Sequence, residues 1–569
     1  MTAARQASTA FTVAVLSLLS VPAPTLAEEV SACAAASYRP AEQPPFGGVP
    51  VPPLQPVAGE RAPDGFELGA AEAVAIAGTT TAVGEELAET PEAQPRAFTQ
   101  GPCRWQVSFV AGGQEVARVA IDDRTGTVIE AWRDHQVGTE LARGYDGAVA
   151  QAVNSPWIWI PLCLLFVAPF LDPRRPGRLI HLDLLALAAL SASLFFFNRA
   201  EISASAALTY PVLAYVFARM LLCGLRPRAR QGPLLSWAPV RWLAIAAVLL
   251  GGARIALNVA DSRVIDVGVA GVVGADRIGD GGELYDGGFN AGLDLRGDVY
   301  GPANYLAYAP FEAAFPWGGE WDDVPAAHAA AIAFDLLTVL GLVLLGRRLR
   351  PGGDGRALGV ALAFAWLACP WTLYAMNANV NDGLVAASVT WALVALRSPA
   401  GRGAALAVGA AAKFGTAALA PLFATATGAR DRRGAIVFAV VFALLAPALF
   451  LPFVPDGGIR ELYDRTLGYQ ADRSSPFSVW GLAPSLDFLQ TAVRAGAVAL
   501  ALAVAVWPRT KSAVQVAALA AAVIVAVQAG ATHWFYFYVV WFLPAYLAAA
   551  FAEVAVSRSG SEARPAGAS

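Results

Sequence analysis

Lysine is almost missing from this sequence. Of 40 basic residues in 569, only Lys413 and Lys511 are lysines, and charged residues of both signs make up just 15%. Soluble domains carry about 25% charged and about 45–50% apolar residues. Here hydrophobic residues reach 56%, with a mean hydropathy of +0.51. A soluble enzyme and a disordered chain are both excluded. A net charge of −4 leaves no basic excess for holding nucleic acid. The five cysteines are too few for a disulfide framework and lack metal-ligand spacing. The four histidines (His135, His181, His328, His533) are scattered, so no metal and no bound cofactor is indicated. No Walker loop or GxGxxG is present to cradle a soluble nucleotide.

Long apolar runs are what the chain has instead. Residues 1–27 read as a secretory signal peptide: Arg5, an apolar Phe11–Val21, then Thr25-Leu26-Ala27 before Glu28. An uncleaved anchor is the alternative, and either way the following residues are exported. Residues 28–150 form a small polar domain with strand-like runs at 105–110, 115–121 and 126–132, and Asp123, Thr125 and Gly126 favour a tight turn between two of them. Cys33 and Cys103 lie outside the apolar segments, and in an oxidising compartment they pair; two free thiols are the alternative.

From Trp157 onward, stretches near the ~20 residues needed to cross ~30 Å of hydrocarbon recur. They lie near 155–171, 179–198, 203–223, 239–258, 326–346, 357–375, 382–397, 434–453, 490–507, 513–531 and 534–553. A twelfth stretch, 403–425, is interrupted by Lys413 and Gly415. Read as a re-entrant hairpin, it puts the arginine clusters at 174–178, 226–230, 347–350 and 430–433 on one side. The expected architecture is an all-α multi-pass membrane bundle of about eleven spans plus that hairpin. An exported α+β N-terminal domain and a cytoplasmic, disordered tail (554–569) complete it. Two long loops then lie outside. The first, 259–325, holds twelve acidic residues against three arginines, whereas the second, 454–489, carries Arg460, Arg465 and Arg473.

The run Val116–Trp132, through Asp122-Asp-Arg-Thr-Gly126, resembles the strand–turn–strand of PepSY-type domains. Beyond the fourth span comes Val264-Ile-Asp-Val-Gly-Val-Ala-Gly-Val-Val-Gly, closing on Gly282-Glu-Leu-Tyr285, and then Tyr300-Gly-Pro-Ala-Asn-Tyr305. These resemble the first external loop of GT-C-type, polyprenol-phosphate-dependent glycosyltransferases, nearest to the mannosyltransferase-like glycosyltransferase family 87. Ala270 and Leu284 stand where that family has an aromatic residue and a proline. The resemblance runs along 235–553, leaving 151–234 as three additional helices. It implies transfer of a mannose-like sugar from a polyprenyl-phosphate donor to a glycan or lipid acceptor, on the non-cytoplasmic face and with inversion.

Such chemistry needs a base for the acceptor hydroxyl and cations for the departing phosphate. Asp266, just beyond the fourth span, is the expected catalytic base, with helix capping as the alternative; Asp261, Asp276 and Asp280 stand behind it. Arg460 and Arg465 are the expected phosphate ligands, ahead of Arg473. Tyr285, Tyr300, Asn304, Tyr305, Asn377, Asn379 and Asp382 are expected to line the substrate site. Capping of the next helix explains Asp382 equally well. Lys413 is a further candidate because ionisable residues at membrane depth are usually functional. The hairpin reading, however, puts it on the cytoplasmic side, where it would snorkel. His533 opens an aromatic run, Trp534–Tyr538, that reads first as an interfacial belt and second as a sugar or phosphate contact. His181 and Asp183 read as interfacial, without chemistry. A transporter or flippase for a lipid-linked or polar solute, and a membrane sensor built on the exported domain, are the competing readings; no protein partner is identifiable.

Overall fold

The computed structural model describes residues 54–57, 59, 61–101, 103–137, 150–226, 233–290, 296–319, 321, 324–428, 431–473 and 475–553. The expected signal peptide, Cys33 and the tail 554–569 lie outside the described residues. Cys103 is disulfide-bonded.

The N-terminal domain is a five-stranded antiparallel sheet in the order β1 (Leu54–Pro56), β2 (Gln94–Gln100), β3 (Arg104–Ala111), β4 (Gln114–Asp122), β5 (Val128–Arg133). Two helices, α1 (Ala70–Gly78) and α2 (Thr81–Glu89), cover one face over Trp105, Val107, Phe109, Val119 and Ile121. The three strands legible in the sequence are β3 to β5. Their turn is built differently from the expectation. Asp122 Oδ1 accepts the Arg124 and Thr125 N–H groups (3.1 and 2.9 Å), and Gly126 supplies the positive φ of 64°. Asp123 instead turns inward, accepting from the Trp105 indole (2.9 Å) and from the backbone of Glu67 and Leu68 (2.8 and 3.0 Å). It anchors the sheet to the segment entering α1.

The remainder is a helical bundle. In chain order its longer helices are α3 (Pro156–Val167), α4 (Leu179–Phe197), α5 (Ile202–Leu225), α6 (Val240–Ala260), α7 (Asp266–Gly279), α8 (Pro302–Glu312), α9 (Pro325–Leu349), α10 (Gly352–Ala368), α11 (Pro370–Asn377), α12 (Asp382–Val394), α13 (Pro399–Ala412), α14 (Arg432–Phe450), α15 (Asp487–Val506), α16 (Ala513–Ala529) and α17 (Val539–Ala552). Among the described residues, six helices are long and apolar enough to cross a membrane. They become seven if α10 and α11, bent by 58° at Cys369-Pro370, count as one span. Exposed apolar side chains such as Val248, Ile436, Leu444 and Val498 on their outer faces suit a lipid solvent. The chain is thus a mostly helical, membrane-embedded protein with a small antiparallel sheet.

Long-range hydrogen bonds sort the helix ends into two sets. At one end Gln515 Nε2 donates to the Gly224 carbonyl, Thr425 Oγ1 to that of Ala505, and Arg219 pairs with Glu553 (2.8, 2.6 and 2.7 Å). Arg226, which caps α5, and Arg347, Arg348 and Arg350 at the end of α9 belong to this end. At the other, Asn377 Nδ2 donates to the Asp261 carbonyl (3.0 Å) and Gln490 Nε2 to that of Gly530 (3.1 Å). The sheet domain touches this second end through Gln136 Nε2 and the Ala200 carbonyl (3.0 Å). Asp183 is no interfacial residue: it is fully buried against Arg219 (3.0 Å). His181 is buried as well, accepting the Asp172 N–H at Nε2 (3.0 Å).

Segment 399–424 does turn back on itself. Arg402, near its start, donates from Nε to the Phe423 carbonyl (2.7 Å) and from Nη2 to that of Ala424 (3.4 Å). Its tip reaches deeper than expected, placing Lys413 at the second end of the bundle.

The two-ended arrangement predicts a labelling pattern. Cysteines introduced at Thr79 and Glu283 should react with a membrane-impermeant maleimide from one side of sealed vesicles, and a cysteine at Thr510 only after permeabilisation. Protection of Thr79 together with Thr510 would break the assignment of ends.

Candidate functional site

Helix α7 starts the site. Its glycines at 268, 271 and 274 recur every three residues and form one flat face. A Cβ on Gly271 would come within 2.6 Å of the Tyr308 ring, one on Gly274 would strike Tyr305, and one on Gly268 would strike the Asn379 carbonyl. The glycines therefore let α7 lie directly on α8 and on the 378–381 turn. That contact fixes the first residue of the helix, Asp266, whose Oδ1 accepts the Val267 N–H (2.8 Å).

Asp266 lines a cavity of about 620 Å³. Lys413, Arg473, Arg494 and His533 share it, as do Tyr300, Asp382 and Trp541. Phe414, Phe477, Val527 and Phe535 supply much of the apolar wall. Lys413 is 9% exposed, and its Nζ lies 2.8 Å from Asp382 Oδ1. The rings of Tyr300, Trp541 and Tyr538 stand 5.4, 5.5 and 5.8 Å from the ammonium, within cation–π range. Trp541 Nε1 also donates to Asp382 Oδ1 (2.6 Å). Arg473 is half-buried and forms no ion pair among the described residues. Arg494 donates to the Gly530 carbonyl and to Thr532 Oγ1 (both 2.9 Å).

Burial raises the pKa of the Asp266 carboxyl above its ordinary value, against the opposing pull of the Val267 N–H and of Arg473 and Lys413. Burial, with Arg473 and Lys413 nearby, holds His533 well below the usual imidazole range. The neutral ring exchanges a hydrogen bond with Ser475 Oγ through Nδ1 (2.8 Å). Among the described residues, no three His, Cys, Asp or Glu side chains cluster to hold a metal ion.

Of the residues singled out in the sequence, Asp266, Tyr300, Asp382, Lys413 and His533 converge here, and Arg473 with them. Several others do not, for identifiable reasons. Arg465 is spent on Asp298 (2.7 Å) and Glu461 (2.9 Å). Arg460 is 93% exposed beside Asp464, and both arginines line a separate outer cleft. Asn377 and Asn379 are fully buried clasps. Asn379 Nδ2 donates to Ser262 Oγ and the Arg263 carbonyl (3.0 and 2.9 Å), holding the loop that delivers Asp266. Asn304 accepts from Asn381 Nδ2 (2.9 Å), joining α8 to the same turn. Tyr285 donates to the Tyr300 carbonyl (2.8 Å) and Tyr305 to that of Gly297, so both brace the 297–300 segment from within. Asp382 is not a cap: its carboxylate faces Lys413, and Asn381 occupies the cap position. Lys413 does not snorkel.

The aromatic belt is also overturned. Trp534, Tyr536 and Phe537 are buried, and the Tyr536 hydroxyl meets Ser193 and Ser205 (2.7 and 2.8 Å). Asp261 is exposed, and Asp276 lies ten residues along α7 from Asp266, about 15 Å away at 1.5 Å per residue. Arg494 and Trp541 were missed. An arginine near the start of an apolar span is the signal that marks the first of them.

No protein-family model, no curated protein and no solved structure matches this chain. The chemistry of the site therefore rests on its own geometry.

The Lys413–Asp382 pair generates a stability prediction. Lys413→Met leaves a buried carboxylate without its cation and should cost about 3–5 kcal/mol. The double variant Lys413→Met/Asp382→Leu should recover most of that loss in detergent unfolding assays. Equal destabilisation in single and double variants would show that the pair is not what ties these helices. Gly268→Ala, which drives a methyl into the Asn379 carbonyl, should cost about 1–3 kcal/mol by overpacking.

Proposed function

We propose that this protein is an integral membrane glycosyltransferase, moving a sugar from a polyprenyl-phosphate donor to a glycan or lipid acceptor. One observation carries the reading: a carboxylate of raised pKa shares a largely apolar cavity with a guanidinium, Arg473, that forms no ion pair among the described residues, and with Lys413 and Arg494. Apolar walls suit an isoprenoid chain, and the cations suit the phosphate that joins it to the sugar. The resemblance of 235–553 to GT-C enzymes of family 87 supports the same reading, with Arg473 taking the phosphate role first expected of Arg460 and Arg465.

In this mechanism Asp266 accepts the proton of the acceptor hydroxyl. The freed oxygen attacks C1 from the face opposite the phosphate, and the C1–O bond breaks with inversion. The electron pair stays on the polyprenyl phosphate, whose charge Arg473 and Lys413 hold. That leaving group departs unprotonated, so a second carboxyl acid of the glycosidase kind is unnecessary. Asp382 acts through Lys413 by fixing its ammonium.

The proposed topology is eleven crossings plus the 399–424 hairpin in the cell membrane. The PepSY-like domain and the Asp266 cavity face the exported side, and the arginine-rich end and the C-terminus face the cytoplasm. A signal peptide at 1–27 delivers the N-terminal domain.

The test uses the full chain in nanodiscs with polyprenyl-phosphate mannose, glucose and galactose as donors and a membrane glycolipid extract as acceptor. Asp266→Asn should fold normally and lose transfer by about 10²–10⁴-fold, the usual contribution of a general base. Asp261→Asn and Asp276→Asn should keep most activity. The base works deprotonated, and its pKa is raised. Transfer should therefore fall as pH drops through a value above the ordinary aspartate range of about 3.9, and that limb should vanish in Asp266→Asn. Near-normal turnover of Asp266→Asn would overturn the reading.

A further inference from the structure

A second cleft, of about 540 Å³, opens beside the Asp266 cavity, and Val299 lines both. Among the described residues its charges cancel: three guanidinium groups (Arg296, Arg460, Arg465) and three carboxylates (Asp298, Glu461, Asp464) face the same space. Arg465 Nη1 lies 2.7 Å from Asp298, its Nη2 lies 2.9 Å from Glu461, and Arg460 lies 3.9 Å from Asp464. A phosphate entering here would meet Arg465 already held by two carboxylates, Arg460 beside Asp464, and Arg296 stacked over the Tyr469 ring, with as many carboxylates as guanidinium groups on the described lining.

A neutral polyol meets the opposite situation. Each hydroxyl can donate to a carboxylate and accept from a guanidinium, so paired charges of both signs serve it without an ionic partner. Tyr469 adds a half-buried aromatic face, with the Arg296 guanidinium 5.4 Å from its ring. Such a face takes the C–H side of a pyranose. The cleft is also kept open by construction. Gly287, at a φ of 84°, has no side chain to fill the space before Arg465, and a Cβ on Gly457 would run into Glu461. Arg465 itself rides on a single π turn, Asp464–Gly468, a local widening that recurs at functional sites.

We propose that this cleft binds a neutral carbohydrate and is the acceptor-glycan site of the protein; the word acceptor rests on the transferase reading above. Asp298 and Tyr300 are two residues apart, one in each chamber. A glycan held in the cleft therefore has its end at the mouth of the Asp266 cavity.

The full chain in nanodiscs, probed by saturation-transfer NMR with mannobiose and maltotriose, tests the binding without any donor. At least one of the two sugars should receive saturation. Tyr469→Ala should weaken that signal at least tenfold, and Tyr469→Phe should retain it. Absence of signal from both sugars in the unmodified protein, or an undiminished signal in Tyr469→Ala, would overturn the cleft assignment. So would broadening of the inorganic phosphate resonance by the unmodified protein that disappears in Arg460→Ala. Sugar binding without any transfer removes the transferase reading and leaves the cleft standing. Transfer with an acceptor KM unmoved by Tyr469→Ala removes the cleft and leaves the transferase.

Discussion

An ammonium group inside an apolar bundle must find an anion, because desolvating an unpaired ion costs several kcal/mol even after the surroundings relax. Lys413 meets that demand at the tip of the 399–424 hairpin, and much of the second end of the bundle is arranged around the answer. Asp382, in the first turn of α12, supplies the charge, and Trp541 of α17 donates to the same carboxylate oxygen. Three segments far apart in sequence are thereby pinned to one point. The hairpin then has to reach the far end of the bundle, where Gly301 N–H donates to the Ala412 carbonyl (3.2 Å) and Phe450 stacks on Phe414. The pair thus lines the same cavity as Asp266.

The positioning of Asp266 comes from a different kind of constraint, steric and backbone-centred. The chain leaves α6 at Asp261 and is caught by Asn377 and Asn379, whose amides bind the backbone of 261 and 263. Asn379 adopts a positive φ of 53° to do this, a conformation asparagine tolerates better than most residues. The glycine face of α7 then permits the close approach that the clasp requires. Asparagines that read as hydroxyl binders turn out to be the support of the catalytic candidate, which is a more demanding role than solvation.

What was legible in the sequence followed from local periodicity. Apolar runs located most of the bundle helices to within a few residues, though not α7 and α8, which lie in a stretch read as a loop, and alternation located β3 to β5, because both signals depend on neighbours within one turn or one strand. The short strand β1, the strand β2 with its Pro95 and charged Arg96, and the helices α1 and α2 were not visible, since none has a strong pattern of its own. Side-chain partners were the least legible feature. Asp382 and Trp541 are 159 residues apart, and nothing in one dimension joins them. The same limit explains Arg460 and Arg465: counted along the loop they are free cations facing an acidic loop, yet in space Asp298 comes from that acidic loop to neutralise one of them.

This neutralisation gives the outer surface its logic. The two loops of opposite charge do not simply attract across the bundle; they divide the arginines into compensated and uncompensated sets. Arg465 is matched by carboxylates from both loops, which locks 454–473 onto 296–300 beside a cleft whose described lining carries no net charge. Arg473, eight residues further on, falls beyond the reach of those acids and turns into the chamber with Asp266. On the function proposed above, adjacent chambers, one balanced and one positive among their described linings, would select a neutral sugar and a charged lipid phosphate respectively. Val299 lies between them, and the Arg465–Asp298 ion pair beside it ties the two loops together. Removing that pair would loosen the seam between the loops and leave Arg465 with Glu461 alone, so selectivity and structure at this surface share a contact.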